Sequence, residues 1–207
     1  MAEIKLNKTE LKIQKTLLDQ LTKYLPTLQL KKQQLQAEVE NIKMVVNGIE
    51  KDIDSKKNEI KKWSILFSEK LTIDLHQLIL IEEVKKGTEN VAGVEVPVFE
   101  GLIFQKADYS YFVMPVWVDR AVEELKNLIT LREKLKITQE KLRLVEEELR
   151  QTNIKVNLFE KRMIPQCKEN IKKIKIFLGD QEIAAICNAK IAKDKLKRKD
   201  QIAAEAS

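Results

Sequence analysis

A three-four spacing of apolar residues runs almost unbroken from Leu11 to Phe67. One set of positions holds Leu11, Leu18, Leu25, Lys32, Val39, Val46, Ile53, Ile60 and Phe67. Three residues after each of the first eight come Gln14, Leu21, Leu28, Leu35, Ile42, Ile49, Lys56 and Trp63. Fourteen of these seventeen positions are apolar. A 3.5-residue repeat sustained this long keeps one seam facing a partner helix and imposes a left-handed supercoil. At about 1.5 Å per residue it predicts a helix of roughly 85 Å, longer than any globular core requires. Such an element serves reach, spacing or the transmission of force. Lys32 and Lys56 stand in the seam. Either their stems are buried with the ammonium reaching solvent, or those levels face a separate subunit.

A second heptad series follows the same rule: Leu128, Leu131, Leu135, Thr138, Leu142, Val145, Leu149, Thr152, Val156, Phe159 and Met163. Beyond it the spacing runs Cys167, Ile171, Ile174, Leu178, so two fours occur in succession, a stutter that locally unwinds a supercoil. Between the two series three of the five glycines, Gly87, Gly93 and Gly101, lie close together with Pro97 and two β-favouring runs. Glu100-Gly101 separates those runs and predicts a hairpin turn. The expected class is therefore all-α dominated, a long antiparallel two-helix coiled coil with a small central β-hairpin insertion. The expected organisation is a helix over 1–86, a compact insertion over 87–117 and a second long helix over 118–178. A short helix and basic tail over 179–207 would follow, broken at Gly179-Asp180. Setting Phe67 opposite Glu124 also sets Pro26 opposite Pro165, so both strands are expected to bend at one level.

Composition narrows the function. Charged residues make up 34% of the chain and aromatics 5%, the bias of long solvated helices. The longest uncharged apolar run, Tyr109 to Val118, is about half the ~20 residues that span a bilayer. The N-terminus has no apolar signal segment, and a soluble, cytoplasmic chain is expected. Cys167 and Cys187 have no metal or redox spacing and read as free thiols. The lone His76 has no ligand-spaced companion, and neither a P-loop nor a dinucleotide-binding glycine fingerprint is present. No catalytic, cofactor-binding or metal-binding residue is expected, and no cofactor. Net charge is +6, with its excess in Lys161–Lys175 and Asn188–Gln201. Such a basic end suits an anionic surface, nucleic acid or plain solvation equally.

Asn7-Lys8-Thr9-Glu10-Leu11 and Leu28-Gln29-Leu30-Lys31-Lys32-Gln33-Gln34-Leu35 resemble the opening of the D subunit of the V-type (archaeal/vacuolar-type) ATPases and ATP synthases. In that family a Thr precedes a leucine series and a Leu-Leu-Lys-x-Lys-Arg-Asp-x-Leu run follows; Gln33-Gln34 here replace Arg-Asp. Thr152-Asn153-Ile154-Lys155-Val156-Asn157-Leu158-Phe159-Glu160, with Ile164-Pro165 beyond, is similar to the family's Thr-Asn-Arg-Arg-Val-Asn-Ala-Leu-Glu followed by Ile-Pro. It departs at Ile154, Leu158 and Phe159. The lysine-rich Lys190–Lys199 also fits, whereas Ala184–Ala189 lacks the family's charged and aromatic residues.

The resemblance implies a non-catalytic rotor shaft of the central stalk, coupling ATP hydrolysis or synthesis to proton or sodium transport. It implies partners: catalytic and non-catalytic nucleotide-binding ring subunits, the small central-stalk F subunit, and a socket subunit above the membrane ring. It implies no nucleic acid and no membrane insertion, with a cytoplasmic position peripheral to the membrane. A prefoldin-like chaperone and a nucleic-acid-binding coiled coil are the alternative readings.

Overall fold

The computed structural model describes residues 5–63, 78–105, 115 and 117–205, with side chains as far as Arg198. Helix α1 (Lys8–Trp63) begins where the sequence supplies a cap. Asn7 Oδ1 accepts the Glu10 N–H at 2.6 Å, satisfying one orphan donor of the first turn. Strands β1 (Ile81–Val91) and β2 (Val94–Phe104) form an antiparallel hairpin, and α2 (Trp117–Leu158) follows. A π-helical turn over Phe159–Met163 leads into α3 (Ile164–Glu205). Long N- and C-terminal helices around a small hairpin are thus the architecture that the heptads predict.

The chain forms two compact units, Leu30–Asn153, and Met1–Gln29 with Ile154–Ser207. In the first, α1 and α2 run antiparallel, since Lys31 meets Glu148 at 2.6 Å and Lys56 meets Glu124 at 3.1 Å. Leu35, Val39, Ile42 and Val46 are buried at the expected seam positions, together with Val145 of α2. The hairpin completes this core with Val91 and Val96 and lies along the helical pair. Lys141 holds Glu89 at 2.7 Å, and the Lys126 ammonium lies 5.4 Å from the Phe104 ring centroid. Glu124, and after it Glu59, hold the Lys56 ammonium above the usual lysine range through hydrogen bonds. This stabilisation is present at neutral pH and is lost only as pH rises through the raised value.

In the second unit α1 and α3 are antiparallel, with Leu21, Val156, Cys167 and Ile174 buried. Asn170 donates to Gln14 Oε1 at 3.4 Å inside the seam, and Lys8 reaches Glu182 at 4.0 Å on the surface.

Four expectations are corrected. The register differs: Asn170, not Phe177, stands opposite Gln14, a displacement of one heptad. Pro26 is twelve residues beyond Gln14 and Pro165 only five before Asn170, so the prolines occupy levels about 10 Å apart. The hairpin turn is Ala92-Gly93, both at positive φ (49° and 83°), as a type I′ turn requires. The Asn90 side chain accepts the Gly93 N–H there at 2.9 Å. Glu100-Gly101 instead forms a bulge inside β2, with Glu100 left unpaired between the partners of Lys85 and Lys86. The expected helix to residue 86 gives way to strand at Ile81, a mostly exposed and charged stretch whose β character no apolar run announces. Finally, α3 passes through Gly179-Asp180 without a break. One helical glycine costs about 1 kcal/mol relative to alanine, too little to end a long helix. Phe67, Leu71, Leu75 and Tyr109–Val113 lie outside the described residues.

The π turn has a local cause. The Ile164 N–H reaches back to the Phe159 carbonyl, five residues away. Pro165 follows at once, with no N–H to donate and a ring that crowds the carbonyl four residues earlier. The wider turn also absorbs one residue of excess over the heptad, where the sequence shows two successive fours.

Two alanine substitutions on α1 are expected to have opposite signs. Leu35 is fully buried, so Leu35→Ala should destabilise by about 2–5 kcal/mol. Gly48 is helical with nothing within 4 Å of an added Cβ, so Gly48→Ala should stabilise by about 0.5–1 kcal/mol. Urea titration followed by circular dichroism measures both.

Candidate partner-binding surface

The Lys8–Glu182 ion pair joins the first residue of α1 to α3. Beyond it α3 continues from Ile183 to Glu205. Its next ten residues are Ile-Ala-Ala-Ile-Cys-Asn-Ala-Lys-Ile-Ala, with only Asn188 and Lys190 polar. All are exposed, Ile183 at 62%, Ile186 at 58% and Ile191 at 54%. At about 100° per residue Ile183, Ile186, Cys187 and Ile191 share one face roughly 140° wide, with Lys190 inside it, while Ala184, Ala185, Ala189 and Ala192 line the rest with Asn188. The segment therefore carries its large apolar side chains on one stripe and small alanines on the opposite side, with Lys190 its one charge. An exposed bulky stripe of that kind marks a surface for a partner. Lys193, Lys195, Lys197 and Arg198 follow it and are exposed.

Lys172, Lys173 and Lys175, in the part of α3 that faces α1, are exposed as well. They flank the buried Ile174 without an ion pair among the described residues. The sequence locates this positive excess but reads residues 183–196 only as a short helix leading to a tail. The signal for more is the lack of any charged face between Ile183 and Ala189.

Chemistry is sparse elsewhere. Among the described residues no three His, Cys, Asp or Glu side chains gather as metal ligands. Among the described residues no helix is long and apolar enough to cross a membrane. His76 lies outside the described residues. An open groove of about 600 Å³ between Ile79–Ile81 and the Ile129–Gln139 stretch of α2 brings Arg132, Glu133 and Lys136 to its rim without a nucleophile among its lining residues. Lys56 is paired with Glu124, and Lys32 lines a groove between α1 and α2.

Both cysteines are free, Cys167 buried and Cys187 exposed on the apolar segment. Burial pushes the Cys167 thiol up, which lowers its thiolate fraction at neutral pH. Maleimide should therefore modify Cys187 at least tenfold faster than Cys167 in the folded chain, as peptide mass spectrometry would read. Equal rates would mean that the seam around Cys167 opens freely.

Comparison with known proteins adds to this geometry. The sequence model of the family described as the ATP synthase D subunit matches residues 10–194. The V-type ATP synthase D subunit of Borreliella burgdorferi is 42% identical over 201 residues, covering 97% of this chain and 98% of the relative. The protein of the same description from Chlamydia felis is 37% identical, covering 97% of each chain. That of Chlamydia trachomatis is 36% identical, covering 95% of this chain and 98% of the relative.

Proposed function

The chain belongs to the family of V-type ATP synthase D subunits, structural stalk components of a multi-subunit complex rather than catalytic ones, and we propose that it is the rotor shaft. In this reading α3 enters a ring of catalytic and non-catalytic nucleotide-binding subunits, and rotation couples ATP turnover to proton or sodium transport. The small F subunit of the stalk binds the central part, and a socket subunit links the other end to the membrane ring, leaving this chain peripheral to the membrane. Family membership sets aside the chaperone-like and nucleic-acid-binding readings.

The observation that supports the proposal is the exposed stretch from Ile183 to Ala192, which holds one charge, Lys190, around its whole circumference. A helix that rotates inside a ring meets its wall in every direction. Apolar side chains make contacts there that do not depend on orientation, whereas a fixed ion pair would hold one angle. The charged lysines of α3 add the opposite property. A cation near the wall responds to changes in ring charge as nucleotide binds and leaves.

Cys187 reports directly on enclosure. In the assembled complex its alkylation should slow at least tenfold relative to the free chain, while Cys167 stays slow in both. Unchanged Cys187 reactivity in an intact complex would overturn enclosure of this segment. Neutralising Lys172, Lys173 and Lys175 together to glutamine should lower the ions transported per ATP in reconstituted vesicles without unfolding the subunit. An unaltered ratio would remove the charge-sensing role.

A further inference from the structure

The two edges of the β-hairpin are finished differently. Val91 and Val94 close the two-residue turn as a hydrogen-bonded pair, and bonded and non-bonded pairs alternate from there. Thr88 and Pro97 then form a non-bonded pair, whose backbone groups face outward from the hairpin. Proline has no N–H to offer on that side, so the edge of β2 is blunted at its middle. β1 has no proline, and its residues are exposed except Val84, Gly87 and Val91. Among the described residues no further strand or loop pairs with its outer side. Counting back from the turn, Asn90, Thr88, Lys86 and Val84 direct their backbone N–H and C=O groups to that open side.

The open edge carries a charge sequence that matches itself. Glu82-Glu83-Val84-Lys85-Lys86 runs from two acids through one apolar residue to two bases. An antiparallel copy related by a two-fold axis at Val84 sets Glu83 opposite Lys85 and Glu82 opposite Lys86, on both sides of the axis. Directly opposed side chains lie on one face of a sheet, so all four contacts join opposite charges. Moving the axis by one residue, to Glu83 or Lys85, would instead set like charges face to face. None of the four charged side chains has an ion pair or hydrogen-bond partner among the described residues. Lysines on an edge ordinarily discourage pairing. Here they discourage every strand except one with acids opposite them, and β1 is itself such a strand.

We propose that the free chain forms a two-fold homodimer in which two β1 edges pair antiparallel about Val84, making one four-stranded sheet. At about 3.3 Å per residue the five charge-matched residues span only ~17 Å. Glu82, the residue of β1 without a partner across the hairpin, ends the regular run with a bulge. So short a contact is weak and reversible, and salt weakens it further by screening its ion pairs. The inference rests on neither the rotor reading nor the enclosure of α3, so its failure leaves the Cys187 test untouched.

Sedimentation velocity of the full chain over a concentration series tests it. At low salt a dimer should appear at about 0.1–1 mM, the weak end of specific association, and dissociate as salt is added. Glu82→Lys with Glu83→Lys, and separately Lys85→Glu with Lys86→Glu, should each weaken dimerisation at least tenfold at an unchanged melting temperature. Mixing the two variants should restore association, because a wholly basic edge then faces a wholly acidic one. All four substitutions in one chain should restore it as well, since the charge sequence is only reversed. If either double variant fails to fold, the fourfold variant and the salt series carry the test. A chain that stays monomeric at low salt, a dimer indifferent to these substitutions, or charge-reversed edges that fail to recover pairing would overturn the proposal.

Discussion

A two-helix seam is one layer deep, so each buried side chain must find its neighbours on a single facing helix. The heptad supplies apolar residues at the right angles, but it repeats, and a slide of seven residues restores the same pattern. Apolar layers alone therefore leave the register nearly degenerate. The Asn170–Gln14 hydrogen bond removes that degeneracy in its unit. Sliding one heptad would place Asn170, now 8% exposed, against an apolar level. An unsatisfied buried amide costs about 1–3 kcal/mol. In the other unit Lys31–Glu148, Lys43–Glu146 and Lys56–Glu124 tie α1 to α2 at three levels. Each pair is weak on a partly solvated surface, but together they would be broken by a slide.

The same degeneracy explains which parts of the fold are legible in the sequence. Leu21, Leu35, Val39, Ile42, Val46, Ile49, Ile53 and Ile60 follow from periodicity and are buried, because a face is a local property. The pairing of the two helices is not local, and the alignment inferred from the sequence is off by one heptad. The hairpin is expected in the right region but not at the right turn. Val, Phe and Gly content draws attention to Val94–Phe104, while Ile81–Asn90 is exposed and polar and becomes a strand because β2 pairs with it. At Gly179 the reverse holds, a local breaker overridden by helix on both sides. The candidate partner surface is half legible: the lysines by count, the exposed apolar stripe of Ile183, Ile186 and Ile191 only once α1 is seen to begin at Lys8.

The two units are braced differently. The hairpin gives the α1–α2 unit a third element, and Val96, 1% exposed, joins the helical core. No strand among the described residues belongs to the α1–α3 unit, which contains a π turn followed by Pro165. There the helix gives up regular hydrogen bonding for a few residues and keeps its seam by absorbing the extra one. For the rotor role proposed above, bending resistance is thus concentrated where the hairpin lies, and local compliance near Pro165.

What such a chain keeps out of its seam matters as much as what it buries. Each large apolar side chain that moves from water into a core contributes about 1.5–3 kcal/mol. Isoleucines at 183, 186 and 191 forgo that gain in the free chain, as do Leu30 and Met44. Charged residues at those places would make the isolated chain more soluble without loosening either seam, since none of the five helps to hold α1 against its partners. In the rotor reading proposed above, their apolar character follows from contacts made in assembly.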